Sequence, residues 1–384
     1  MPQPLVRDIL QRLCDGELTG DEATGLLDLG RSRLYDLRSF YLRHRADGQA
    51  DVWQPGRSGG DHCPDWPDDV QAVMRRMLVA SPHPPYAFVA SEVLRRTGVL
   101  LDRATVRRWA KANDLAHAPQ RTAREPAPVR RWQRSRIGEL WQLDATPHHW
   151  FPDDPQSYPL LDLIDDCSRV VTGSHIYSRE VLLSYLDFLP RAFAEYGLPL
   201  ELYVDYHSFF FTHDPDALTY LVAALRFYDI GLRYAPTPQA KGKVERIHLF
   251  WQNRLPAYFA AENIRFVGPA NVHLNALRLH HNRMEIHREL AMRPQEAWDA
   301  ALAVGRSRLR PAPHCPWWPY VWSVRKTLAV GSDGRVPVGT QRLRIEYPAH
   351  KRVVHCRHPD GTVTFLRDPP HPGTMPVVLL QVAP

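Results

Sequence analysis

Two short apolar stretches, LWQLDAT (140–146) and ELYVDYH (201–207), carry an aspartate each, Asp144 and Asp205, where the pattern otherwise reads as buried strand. A carboxylate in such a place costs several kcal/mol unless it opens onto a cleft or is neutralised. Divalent cations held between the two acids would explain both. The surroundings limit how this can be built. From Gly138 the chain alternates as strands do, at Leu140–Trp150, Tyr158–Ile164 and Arg169–Tyr177, with Asp165-Asp166-Cys167-Ser168 as the turn between the last two. A helix over Val181–Tyr196 stops at Gly197. Strand Leu200–Val204, helix Pro215–Tyr228, strand Leu232–Ala235 and a long amphipathic helix from Gln239 to about Ala260 follow.

Three strands, helix, strand, helix, strand, helix is the order of the ribonuclease-H-like α/β fold, in which strands one and four are neighbours and the last helix packs across them. On that helix Val244, Ile247 and Trp251 form the packing stripe. Glu245 lies about a quarter turn away, beside Lys241, His248 and Gln252. Asp144, Asp205 and Glu245 therefore read as one catalytic, metal-holding set. Three carboxylates suit two Mg²⁺ ions, with Mn²⁺ able to substitute, because these cations prefer oxygen ligands and keep waters. Two such ions can drive an in-line phosphodiester displacement.

Ahead of this core the chain is helical. PLVRDILQRLCD (4–15), a second helix opened by Thr19 with Glu22 as its capping box, and RSRLYDLRSFYLR (31–43) form a helix-turn-helix candidate within residues 1–50. Leu34, Leu37, Phe40 and Tyr41 share one face of the third helix. Ser32, Tyr35, Asp36 and Ser39 lie opposite and are the candidate base-reading residues; a plain trihelical bundle has the same pattern. A linker, 51–66, leads to a second unit, 67–118, with helices at 68–79, 89–96 and 103–113. There Val106, Trp109 and Ala110 face inward, and Arg107, Arg108 and Lys111 point out together as candidate DNA contacts.

Charge is distributed to match. The net +6 divides into −1 over residues 1–60, −2 over 61–102, +8 over 103–136, −7 over 137–300 and +8 over 301–384. Basic segments around an acidic middle suit a protein gripping a polyanion around a carboxylate-rich centre. The linker 119–136 contains Arg130, Arg131, Arg134 and Arg136 among prolines, as expected of a segment tracking a phosphate backbone. Residues 301–384 read as a small, basic β-barrel with strands at 318–324, 342–347, 352–356 and 363–366. Five widely spaced cysteines contain no CxxC pair, which argues against disulfide and zinc frameworks. No apolar run is long enough to span a bilayer, and Met1–Leu18 lacks a signal-peptide core. The expected setting is bacterial cytoplasm, with the protein nucleoid-associated and without a membrane partner.

The core segment, 137–300, resembles the integrase-type DDE catalytic core of bacterial insertion-sequence transposases, shared with retroviral integrases. The resemblance rests on GELWQLDATPHHWF (138–151), LLDLIDDCSR (160–169), YVDYHSFF (203–210), PQAKGKVERIHLFWQNRLP (238–256) and HHNRMEIHRELAMRPQEAW (280–298). Lys241, Gly242, Glu245 and Arg246 match the most specific motif. Lys241 and Lys243 are counted among the DNA contacts. Tyr206-His207 after the second aspartate depart from the family's pattern. The resemblance implies a Mg²⁺-dependent enzyme that binds terminal inverted repeats, cleaves 3′ ends and joins them to target DNA, working as at least a dimer on double-stranded DNA. Two other readings remain: a domesticated or inactive DNA-binding regulator, and a ribonuclease-H-like nuclease that only hydrolyses.

Overall fold

The computed structural model describes residues 3–49, 65–117, 133–206, 208–210, 219–235 and 241–384. Most of the linkers 51–66 and 119–136, including Arg130 and Arg131, lies outside the described residues.

The first helical unit comprises α1 (Gln3–Asp15), α2 (Gly20–Leu27) and α3 (Arg31–Ala46). The expected capping box forms: Glu22 N donates to Thr19 Oγ1 at 3.3 Å, and Thr19 N donates to Glu22 Oε2 at 2.7 Å. Leu34, Leu37 and Tyr41 close a small core with Ile9, Leu10, Ala23 and Leu27. The second unit comprises α4 (Asp68–Val79), α5 (Tyr86–Thr97) and α6 (Arg103–Ala112). The α4 bounds are those read from the sequence, whereas α5 starts three residues early, directly after Pro85. Val106, Trp109 and Ala110 are buried as expected.

The catalytic-type core carries β1 (Leu140–His148), β2 (Tyr158–Asp165), β3 (Val171–Ile176), α7 (Leu182–Tyr196), β4 (Glu201–Val204), α8 (Tyr220–Phe227) and β5 (Gly231–Tyr234). Its sheet order is β3-β2-β1-β4-β5. The β1–β2 and β2–β3 pairs are antiparallel, and β4 and β5 continue parallel to β1. The succession of elements and the neighbouring of β1 and β4 are those expected from the sequence. The long last helix is not continuous: α9 (Gly242–Gln252) ends, and α10 (Leu255–Ala261) restarts with Pro256 in its first turn. Proline lacks an N–H and fits best in a helix's first turn, so the apolar period carries on through a break in the helix. Helices α11 (Val267–Met284) and α12 (Pro294–Ala303) complete the region.

The C-terminal part differs most from expectation. A helical turn, α13 (Trp318–Val321), stands where a strand was read. It is followed by β6 (Val324–Ala329), β7 (Arg335–Val338), β8 (Gln341–Arg344), β9 (Arg352–Arg357), β10 (Val363–Leu366) and β11 (Val378–Val382). The strands form an antiparallel sheet, β11-β10-β9-β6, and a separate β7–β8 hairpin. The hairpin pairs only with itself, so the expected barrel is not closed. One sheet face packs on the core through Val324, Val354 and Leu366, along with Trp317 and Trp322. Val336 and Ile345 cover the other beside Val353 and Phe365. With both faces covered, apolar burial does not demand closure.

Apolar packing also joins the regions read as separate. Phe88 of α5 lies 6.1 Å from Tyr258 of α10, and Trp322 lies 5.7 Å from Phe193 of α7, between ring centroids.

Candidate active site

The parallel β1–β4 pairing places Asp144 in the second half of β1 and Asp205 one residue beyond β4, at the same end of the sheet. Asp144 keeps 19% of its side-chain surface and Asp205 54%. Between them sits the Lys241 ammonium, 2.8 Å from Asp144 Oδ1 and 3.3 Å from Asp205 Oδ2, and only 3% exposed. Burial holds the Asp144 carboxyl above the usual carboxylate range, with Lys241 opposing the shift.

Helix α9 brings the third acid. Val244, Ile247, His248 and Trp251 are its buried stripe. On the adjoining face Gln252 Nε2 donates to Thr146 Oγ1 at 3.0 Å, and His248 Nδ1 lies 3.8 Å from Asp144 Oδ2. Glu245 shares this face of the helix with Lys241, His248 and Gln252 and is half-buried. No group of three His, Cys, Asp or Glu among the described residues is close enough to hold a metal ion. The donor set is nevertheless of the right kind: the three groups are carboxylates, and a buried cation already bridges two of them.

Behind Asp144, sequence reading missed a buried polar layer. Asp162 is its register partner on β2 and is fully buried. Ser174 Oγ and Trp251 Nε1 (3.2 Å) donate to its Oδ1. Its Oδ2 lies 3.5 Å from His248 Nε2, and neither atom has a hydrogen-bond partner. Burial pushes Asp162 up to about 8 and His248 down to about 3, so at neutral pH this is a contact between uncharged groups. The only sequence signal was an aspartate inside the apolar run YPLLDLI. Asp165 and Asp166, read only as a turn, are buried hubs: Asp166 accepts from Arg134 N at 2.7 Å and Gln142 Nε2 at 2.8 Å and pairs with Lys243.

The expected DNA contacts are placed unevenly. Arg107, Arg108 and Lys111 are exposed on one side of α6, and Arg136, at the end of the linker, is exposed as well. Arg134 is half-buried, 3.2 Å from Glu139. Lys241 and Lys243, both counted among the DNA contacts, are engaged with carboxylates inside the core. On α3, Ser32 and Asp36 accept from Arg103 of α6 at 2.6 and 3.3 Å. Arg288 lies 4.7 Å over the Tyr35 ring, and Ser39 Oγ donates to the Tyr35 carbonyl. Arg103 and Arg288 thus partly cover the face opposite the first unit's core, while Ser32 and Ser39 stay exposed.

A five-stranded sheet of order β3-β2-β1-β4-β5 thus carries acids on β1, directly after β4 and on α9. In sequence the chain is similar to transposases, as its motifs implied. It is 27% identical over 310 residues to the putative transposase y4bF of Sinorhizobium fredii, a match covering 76% of this chain and 66% of that protein. It is 33% identical over 144 residues to the transposase for insertion sequence IS1202 of Streptococcus pneumoniae, covering 36% of this chain and 30% of the relative. The chain thus spans less than two thirds of the length of either relative. No family model matches it. Among solved structures, the HTLV-2 integrase catalytic core in complex with magnesium aligns at a TM-score of 0.34 and 18% identity, over 42% of this chain and 95% of that one. A simian T-cell lymphotropic virus intasome in complex with the PP2A regulatory subunit B56 gamma aligns at 0.39 and 16%, over 76% of this chain and 99% of that one.

Proposed function

We propose that this chain is a DNA transposase that cleaves the 3′ ends of its element and joins them to target DNA. The observation that carries this reading is the Lys241 ammonium bridging Asp144 and Asp205 across adjacent parallel strands, with Glu245 one helical turn further on. That cleft concentrates negative charge and is built to take a cation.

Asp144, Asp205 and Glu245 would hold two Mg²⁺ ions, or Mn²⁺, which supply Lewis-acid activation of the attacking and leaving oxygens. The chain's own residues do the rest. Val244 N donates to Gln142 Oε1 (3.4 Å) and Gln252 Nε2 to Thr146 Oγ1 (3.0 Å), which ties α9 across β1. Lys241 balances the charge of the paired Asp144 and Asp205 carboxylates. Arg107, Arg108, Lys111 and Arg136 offer exposed cations for phosphates, and Ser32, Tyr35, Asp36 and Ser39 would read bases once uncovered. Arg130, Arg131 and Arg134 would add linker contacts. Joining two ends to one target in a coordinated way calls for at least two copies of the chain.

The test starts from the DNA flanking the gene. Inverted repeats bounding it, outlined by a short target duplication, supply the substrate. The full chain should nick that substrate at its 3′ ends with Mg²⁺ and not with EDTA. A well-folded protein that binds the repeats and never cuts them, with either Mg²⁺ or Mn²⁺, would leave a DNA-binding regulator as the better reading.

A further inference from the structure

Glu289 lies on the loop between α11 and α12, and its carboxylate is met by cations from two other elements. Arg246 Nη1, from α9, donates to its Oε1 at 2.7 Å, and Arg169 Nη2, from the turn between β2 and β3, lies 3.8 Å from its Oε2. Burial would raise this carboxyl, but the Arg246 hydrogen bond and the charges of Arg246, His287 and Arg169 hold it below the usual carboxylate range. The two guanidiniums differ in setting. Arg169 is 4% exposed and built in: its Nη1 donates to the Asp166 carbonyl and its Nη2 to Gln133 Oε1 at 3.2 Å. It also adopts a left-handed backbone (φ 66°), a costly conformation for a residue other than glycine. Arg246 keeps 54% of its side-chain surface in water. An ion pair this exposed adds little to the fold, so stability does not account for it.

An oxygen anion between two guanidiniums is also the arrangement a phosphate takes, since the planar fork of arginine matches carboxylate and phosphate alike. Position adds to this. Arg246 follows Glu245 directly, about 100° round α9. Lys243, three residues before Arg246 on the same side of the helix, pairs with Asp166 beside Arg169. A DNA backbone lying against Glu245 therefore meets the Arg246 side of the helix next.

We propose that Arg246 and Arg169 form a seat for a phosphodiester of the DNA backbone beside Glu245, and that Glu289 fills this seat in the free chain and competes with DNA for it. This rests on the transposase reading of the Asp144–Asp205 cleft.

The experiment measures binding of the full chain, in EDTA, to a duplex of arbitrary sequence at several salt concentrations, because a phosphate contact carries no sequence information. Arg246→Gln should weaken binding and lower the salt slope by about one. Glu289→Gln should strengthen binding by up to about five-fold, the limit set by an exposed ion pair. Removing any acid favours a polyanion somewhat, so Asp299→Asn, at an exposed acid on α12, is the control. In the Arg246→Gln background, Glu289→Gln should gain no more than this control. The seat is overturned if Glu289→Gln gains no more than Asp299→Asn in the wild-type chain, if its gain survives Arg246→Gln, or if Arg246→Gln leaves the salt slope unchanged. Nicking of the terminal-repeat substrate with Mg²⁺ is scored separately. An Arg246-dependent gain without nicking upholds the seat and counts against the transposase reading. Nicking without that gain does the reverse, and a wild-type chain that binds no duplex overturns both.

Discussion

Five aspartates lie on or beside the β1–β2–β4 strands, and four of them fall into two regions that treat the same side chain in opposite ways. At the turn end, Asp165 accepts from Gly138 N (2.8 Å), Trp141 Nε1 (3.1 Å), Cys167 N (3.1 Å), Ser168 N (2.7 Å) and Ser168 Oγ (2.8 Å). Asp166 beside it is held by a backbone N–H, a glutamine and a lysine. At the cleft end, Asp144 has one side-chain hydrogen-bond donor among the described residues, Lys241, and Asp205 is more than half exposed. Acids that collect many protein donors hold the hairpin together. Acids left short of partners are available to something from outside.

The sharpest break between the two regions is a paired substitution. Asp144→Asn or Asp205→Asn should reduce Mg²⁺-dependent end cleavage by at least about a thousand-fold, because the amide keeps the shape and loses the charge that holds a cation. The melting temperature should stay within a few degrees. Asp165→Ala should do the opposite to the fold. It strands several buried donors and should lower unfolding stability by about 3 kcal/mol or more, read by urea titration. Glu245→Gln belongs with the first group. If Asp144→Asn unfolds the chain as readily as Asp165→Ala does, the division into architectural and available acids is wrong.

How far this division was legible in the sequence depends on the range of the contacts behind it. The α4 bounds, the Thr19–Glu22 capping box and the Val106–Trp109–Ala110 face follow from local periodicity and capping, and each was readable. The sheet order followed from the succession of elements. Asp144, Asp205 and Glu245 stood out because each interrupts or flanks an apolar pattern. Lys241 as a bridge could not be read, since it needs β1, the end of β4 and the start of α9 to meet in space. Asp162 was missed because an acid in YPLLDLI shows nothing of the Ser174 and Trp251 donors beside it. The turn at Trp318 was read as strand because tryptophan and valine are strong strand formers. Burial of Trp317, Val321 and Trp322 against the core overrides that preference.

Asp162 gives a smaller, pH-dependent effect and belongs to neither region. Its folded pKa of about 8 exceeds the unfolded value near 4. Between these values the native state binds more protons than the unfolded state, so stability falls as pH rises through that window and the full penalty is reached above about pH 8. In EDTA, the melting temperature of the wild type should therefore fall between pH 5 and pH 9 more steeply than that of Asp162→Asn, whose side chain is neutral throughout. Parallel curves for the two proteins would mean that Asp162 is charged and compensated in the native state.

The same distinction between engaged and available groups extends to the helical units, with the smallest expected effect. Ser32 and Asp36 on α3 are held by Arg103, whose side chain is half exposed, as surface ion pairs are. Such pairs contribute up to about 1 kcal/mol, so uncovering this face requires little free energy, a factor of at most about five in binding. If α3 reads bases, Arg103→Ala removes that competition and should raise the ratio of terminal-repeat to scrambled-duplex affinity by up to about five-fold. It should also lower the salt slope by about one if Arg103 otherwise meets a phosphate. Competition binding at two salt concentrations separates these contributions, because uncovering changes the ratio while a lost phosphate contact weakens both duplexes alike. An unchanged ratio with a reduced slope would assign Arg103 to grip alone. Base reading would then move from α3 to the exposed Arg107, Arg108 and Lys111 face of α6, where no carboxylate among the described residues has to be displaced first.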